Sequence, residues 1–104
     1  MTPLRGEVWL FDLGMVEKVR PALIFSVAAE ETDRALVTII PHTTSLRGSR
    51  YEVSISVPFL KAGAFLVQNV STYPTARAIR RLGVLKSNQL ELIGSAVLRW
   101  LGFS

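Results

Sequence analysis

Val19-Arg20-Pro21-Ala22-Leu23-Ile24-Phe25-Ser26-Val27 sets one cation at the head of a nearly unbroken apolar run. Pro21 fixes its own φ and biases Arg20 toward extended backbone. The run that follows is short and β-prone, so it reads as a buried strand over 23–28. Arg20 then stands where that strand begins, next to the core yet within reach of solvent. A guanidinium held there is rigid, permanently charged and shaped to grip a phosphate. The spacing equally admits a rim arginine paired with a carboxylate, so the rest of the chain has to choose.

Upstream, Arg5 to Leu13 reads as a first strand, punctuated by Gly6 and Gly14. Its run Val8-Trp9-Leu10-Phe11 is continuously apolar, which predicts cover on both faces. Downstream, a polar link over 29–34 leads to a third strand over 35–40, in an antiparallel pair with the second. Pro41-His42-Thr43-Thr44-Ser45-Leu46-Arg47-Gly48-Ser49-Arg50 then gathers three consecutive hydroxyls, one imidazole and two guanidiniums. Pro41 is expected to end the strand and Gly48 to allow a tight turn. Tyr51 to Val57 alternates apolar and polar, as a half-exposed strand does.

A turn over 58–63, a fifth strand over 64–67 and a short irregular strand from Arg77 to Leu85 follow. Leu90, Ile93, Val97 and Leu101 recur at helical spacing. Ser87 is placed as the N-cap of that helix and Gly102 near its C-terminal cap. Five or six short strands and one C-terminal helix make a mainly β, small antiparallel barrel with a helix on its flank.

The 104 residues suffice for one domain, 1–104, and show no repeat or linker. A chain this long buries roughly 60–68% of its unfolded surface. Yet 49% of the residues are hydrophobic and the mean hydropathy is +0.34, more than so thin a core needs. A subunit interface would absorb the excess, so a homo-oligomer is expected. The absence of cysteine excludes disulfides and thiolate metal sites. No signal-peptide pattern opens the chain, and no apolar stretch approaches the ~18 residues of a membrane span. A cytoplasmic protein without membrane contact is expected.

Net charge is +4 and unevenly placed. Residues 1–30 hold three basic and four acidic groups, residues 31–104 nine and four. The surplus gathers at Arg47/Arg50 and Arg77/Arg80/Arg81, which suggests an anionic partner. With one histidine, His42, a two-histidine ribonuclease centre cannot form within one chain. The eight carboxylates have no metal-ligand spacing, and there is no phosphate-binding glycine loop or nucleophile elbow. What remains is a strand-end arginine, a hydroxyl cluster and further arginines. These groups suit electrostatic stabilisation and alignment of a pentavalent phosphate. RNA brings its own nucleophile, the 2′-hydroxyl, so cutting it internally needs little more.

The order Arg5-Gly6-Glu7-Val8-Trp9, Arg20-Pro21-Ala22-Leu23, Pro41-His42-Thr43-Thr44-Ser45, Arg47-Gly48 and Tyr51-Glu52-Val53 resembles the MazF/PemK toxin family. These are the growth-inhibiting halves of bacterial type II toxin–antitoxin pairs. The resemblance implies a barrel of the Src-homology-three kind, the CcdB/MazF fold, assembled as a homodimer. It also implies endonucleolytic cleavage of single-stranded RNA, an mRNA interferase needing no metal or other cofactor, that leaves a 2′,3′-cyclic phosphate and a 5′-hydroxyl. The family's catalytic arginine falls on Arg20 and its catalytic threonine on Thr43. RNA contacts then fall on Glu17, Thr44, Ser45, Arg47, Arg50, Gln68, Asn69 and Arg77. His42 reads as a packed or hydrogen-bonded neighbour rather than a general base.

Many members carry an acidic residue, glutamine and a basic residue after the fifth strand, where this chain has Gln68, Asn69 and Ser71. An antitoxin partner is expected, with an acidic, partly disordered segment lying across the basic groove. Two alternatives belong to the same fold. A CcdB-like gyrase poison would act through its C-terminal end, here Trp100-Leu101-Gly102-Phe103. A non-catalytic member would only bind RNA or antitoxin.

Overall fold

The computed structural model describes residues 2–14, 16 and 18–104. Seven strands precede one helix: β1 (Glu7–Asp12), β2 (Val19–Ile24), β3 (Leu36–Thr43), β4 (Glu52–Val53), β5 (Ala64–Leu66), β6 (Ser71–Pro74), β7 (Ala78–Val84) and α1 (Ser87–Trp100). Single 3₁₀ turns at Val67–Asn69 and Thr75–Arg77 bracket β6. The order across the sheet is β4-β5-β3-β2-β1-β7, and β6 joins β3 off that path. Among the described residues the ladder does not close on itself. No helix among the described residues is long and apolar enough to cross a membrane.

β3 organises the sheet because it has three partners. Its first half pairs with β6, from Leu36↔Pro74 to Ile39↔Ser71. Its middle pairs with β2, from Ile39↔Ile24 to Pro41↔Ala22. Its end pairs with β5, at His42↔Phe65 and Thr43↔Ala64. One strand thus passes between two sheets, as barrel corners require.

Both faces of the central strands are covered, as the unbroken apolar run of β1 predicts. Val8, Leu23, Ile40, Phe65 and Val67 pack with Ile93, Ala96 and Val97 of α1. Trp9, Phe11, Leu13, Ala22, Ile24, Val37 and Ile39 form the second cluster. Glu7 ties the edge of that second layer together. Its carboxylate accepts N–H bonds from Leu4 at 2.8 Å and the Trp9 indole at 3.0 Å, and pairs with Arg81 at 3.0 Å.

Several boundaries differ from expectation. β2 begins at Val19 rather than Leu23, and β3 runs through Pro41 to Thr43. Neither proline breaks its strand, because both lie where the β2–β3 ladder stops. Pro41 is in the last pair and Pro21 lies beyond it, so neither takes an N–H from the middle of the β2–β3 ladder, while Pro21 still sits opposite Leu10 of β1. The segment 51–57 forms a ladder only at Glu52–Val53, since its partner β5 is three residues long. Its alternation survives as burial: Ser54 and Ser56 are exposed, and Ile55 is buried.

β6 gives no apolar signal and is an edge strand held partly by a 2.8 Å bond between the Thr38 and Thr72 hydroxyls. β7 has two register shifts against β1, in keeping with an irregular strand. Ser87 is the first helical residue and not the N-cap; that position is Lys86, whose N–H donates to the Gln89 side chain at 2.8 Å. At the far end Gly102 adopts φ +85°. Its N–H bonds Arg99 and that of Phe103 bonds Leu98, the double closure of a Schellman motif.

Two substitutions test this packing with opposite signs. Phe65 is fully buried, so Phe65→Ala should cost about 3–5 kcal/mol in a denaturant melt. Gly94 lies within α1 and a Cβ there meets nothing within 4 Å. Gly94→Ala should therefore stabilise by about 0.5–1 kcal/mol.

Candidate active site

The β2–β3 register builds the site. Run two residues past Ala22↔Pro41, it sets Arg20 across from Thr43. There β3 has turned to β5, and the strands part around a pocket of about 450 Å³. Arg20, Pro21, His42, Thr43, Thr44 and Ser45 line it, together with Phe59, Leu60 and Lys61 of the 58–63 turn. Arg20 is half-buried and Thr43 is buried. The Thr43 hydroxyl oxygen accepts the Ser45 N–H at 3.0 Å, which fixes its position and leaves its proton to donate outward. A Cβ at Gly63 would overlap the Thr43 carbonyl oxygen, so only glycine lets the 58–63 turn close over this strand end.

A second pocket of about 420 Å³ meets the first at Arg20 and Ser45. Arg47, Ser49, Tyr51, Glu52, Leu66, Gln68 and Asn69 also line it. Glu52 shapes its loop. The carboxylate accepts the N–H groups of Arg47 at 2.9 Å, Gly48 at 2.8 Å and Ser49 at 3.0 Å. The Arg47 N–H foremost, then those of Gly48 and Ser49 and the Arg47 charge, outweigh desolvation and hold Glu52 below the usual carboxylate range. Glu52 stays ionised, and Arg20, Arg47 and Lys61 outnumber it in the lining, so the joined pockets are net positive.

His42 lies on the core-facing side of β3. Its ring meets Phe65 edge-on at 5.0 Å, the residue is 96% buried, and Nε2 has no hydrogen-bond partner among the described residues. Of the two expected roles, packed or hydrogen-bonded neighbour, the contact with Phe65 favours packing. Burial holds its pKa below the ordinary histidine value, so the ring is neutral at pH 7.

The structure thus brings together Arg20, Thr43, Thr44, Ser45, Arg47, Gln68 and Asn69. It leaves two expected RNA contacts outside both pockets. Arg50 lies over the Tyr51 ring at 5.0 Å, and Arg77 over Tyr73 at 5.7 Å, each engaged by an aromatic face. Glu17 lies outside the described residues. Sequence reading missed Phe59, Leu60 and Lys61; the Pro58 turn was visible, but not that it folds back onto β3. Among the described residues, no group of three histidines or carboxylates is placed to hold a metal ion.

The neutral His42 gives a pH prediction. Its folded pKa is depressed, so the unfolded chain binds more protons once pH falls toward about 6.5. Stability should be constant above that value and decline below it, by at most about 1.4 kcal/mol per pH unit for one group. Thermal melts from pH 8 to 5.5 should show this decline in the wild type and lose it in His42→Phe.

Residues 4–101 match the sequence profile of the PemK-like, MazF-like toxins of type II toxin–antitoxin systems. Among solved structures, the chain is similar to a Deinococcus radiodurans MazE–MazF complex: 22% identity, all of both chains covered, TM-score 0.83. That likeness speaks for the fold, an antiparallel barrel-like sheet with a C-terminal helix. An endoribonuclease from a mycobacterial species, solved with its cognate antitoxin, is 27% identical over 98% of this chain and 97% of that one, with TM-score 0.83. The Mycobacterium tuberculosis toxin MazF-mt6 is 25% identical over 94% and 98%, with TM-score 0.79. A profile match over nearly the whole chain, on a fold shared from end to end, makes this protein a member of the PemK/MazF toxin family.

Proposed function

We propose that this chain is an endoribonuclease toxin that cuts single-stranded RNA at the meeting point of the two pockets. The observation that carries the reading is that Arg20 and Thr43 line one pocket. In the proposed reaction the substrate 2′-oxygen attacks the adjacent phosphorus while the bond to the 5′-oxygen breaks. A proton leaves the 2′-hydroxyl and one is gained by the departing 5′-oxygen; no water is consumed. The products are a 2′,3′-cyclic phosphate and a 5′-hydroxyl.

Arg20 supplies a fixed positive charge to the pentavalent phosphorane, and the Thr43 hydroxyl aligns a non-bridging oxygen. Arg47, with Gln68 and Asn69, extends the anion path into the second pocket. The likeness to a mycobacterial endoribonuclease at 27% identity supports this activity.

The same relative was solved with its cognate antitoxin, and the positive groove suits an acidic partner segment that excludes RNA. A homodimer accounts for the apolar surface that α1 and the residues after it expose at Leu92, Leu98, Trp100, Leu101 and Phe103.

The test is cleavage of a long single-stranded RNA in EDTA, with mapped ends. Wild type should give discrete cuts bearing cyclic phosphates. Arg20→Ala should lose roughly 10²–10³-fold in rate, and Thr43→Ala a smaller factor. Equal activity of Arg20→Ala and wild type would contradict the assignment. No cutting by folded wild type, together with gyrase inhibition that survives Arg20→Ala, would favour a CcdB-like poison.

A further inference from the structure

A carboxylate sits where the proposed RNA path needs positive charge. Glu52 lines the second pocket together with Arg47, Gln68 and Asn69. An ionised carboxylate there repels phosphate, so on charge alone its removal should tighten RNA binding. The backbone around it gives Glu52 a use that offsets this repulsion.

Residues 45–49 belong to no strand or helix, and Ser45, Arg47 and Ser49 all line the second pocket. Without a ladder, their N–H groups need other partners. That of Ser45 goes to the Thr43 hydroxyl at 3.0 Å. Those of Arg47, Gly48 and Ser49 all go to one side chain. Oε1 of Glu52 accepts from Gly48 at 2.8 Å and Ser49 at 3.0 Å, and Oε2 accepts from Arg47 at 2.9 Å. Gly48 adopts φ +84°, a left-handed conformation that turns successive N–H groups toward one anion. Glu52 is itself anchored. Its N–H donates to the Ser49 carbonyl at 3.1 Å, and the Tyr51 carbonyl before it accepts the N–H of buried Val67 at 3.0 Å. One carboxylate thus ties the segment that carries Arg47 to β4 and the core.

We propose that Glu52 is a positioning residue for RNA binding, which holds Arg47 on the wall of the second pocket by fixing the backbone of residues 47–49. The inference rests on the ribonuclease reading, since it concerns how that substrate is held. It reverses the sign expected from charge: losing this negative group weakens the grip on an anion.

Two variants separate shape from charge. Glu52→Gln removes the charge and replaces one accepting oxygen by an amide NH₂, which cannot accept. Glu52→Asp keeps the charge on a side chain too short to reach all three N–H groups. The probe is a short 2′-O-methyl RNA of random sequence, which cannot be cut because the nucleophile is capped. Both variants should bind it about tenfold more weakly than wild type, as should Arg47→Ala. Each should also lower the salt slope of binding by about 0.7, the share of one phosphate contact on a single strand. Adding Glu52→Gln to Arg47→Ala should cause little further loss. In multiple-turnover cleavage the loss should fall on KM more than on kcat. Circular dichroism melts establish that each variant is folded at the assay temperature.

Glu52→Gln binding as tightly as wild type or tighter, with Glu52→Asp unchanged, would overturn the inference and leave the ribonuclease reading standing. Losses from Glu52→Gln and Arg47→Ala that multiply in full would also overturn it, because the carboxylate would then not act through Arg47. If folded wild type neither binds the probe nor cuts RNA, both readings fall.

Discussion

The structure depends on where the β2–β3 ladder ends. Ala22↔Pro41 is the last pair, and both strands continue past it with different neighbours. β2 carries Pro21 and Arg20 onward beside β1, opposite Leu10 and Phe11. β3 carries His42 and Thr43 onward beside β5. A proline at each side of the parting removes an N–H that would otherwise lack a partner. The opening that results is therefore not a defect in the sheet. It is held by ladders on its outer sides, so Arg20 and Thr43, which line one pocket, are carried by strands rather than loops.

Charge is arranged to the same end. Glu52 and Glu7 are drawn into fixed hydrogen bonds, one to three backbone N–H groups and the other to Leu4, Trp9 and Arg81. Each organises backbone or a strand edge. Glu52 keeps its charge in the lining, where Arg20, Arg47 and Lys61 outnumber it. Arg50 and Arg77, by contrast, rest on tyrosine rings outside the pockets and add to the field at longer range.

Much of this was legible in the chain itself. The apolar runs of β1 and β2, the helical spacing of α1 and the glycine after it report burial directly, and burial dominates the structure. The Arg20 and Thr43 assignments came from the order of motifs, and the register supports their juxtaposition. Three features were not legible, each for a physical reason. β6 is a polar edge strand whose pairing is fixed by β3, not by its own pattern. Pro41 looked like a strand end because a single sequence does not show where a ladder changes partners. Lys61 and Phe59 reach the pocket only because Gly63 and Gly83 permit close approach, and a glycine's neighbour in space is invisible in sequence.

In the proposed reaction one phosphate is gripped from both strands at once. The most direct measurement is a double-mutant cycle on single-turnover RNA cleavage with Arg20→Ala, Thr43→Ala and the double variant. If both side chains act on the same phosphorane, the losses are strongly non-additive, and the double variant is little slower than Arg20→Ala alone. Losses that simply multiply would mean the two groups act independently, and the shared site described above would be wrong.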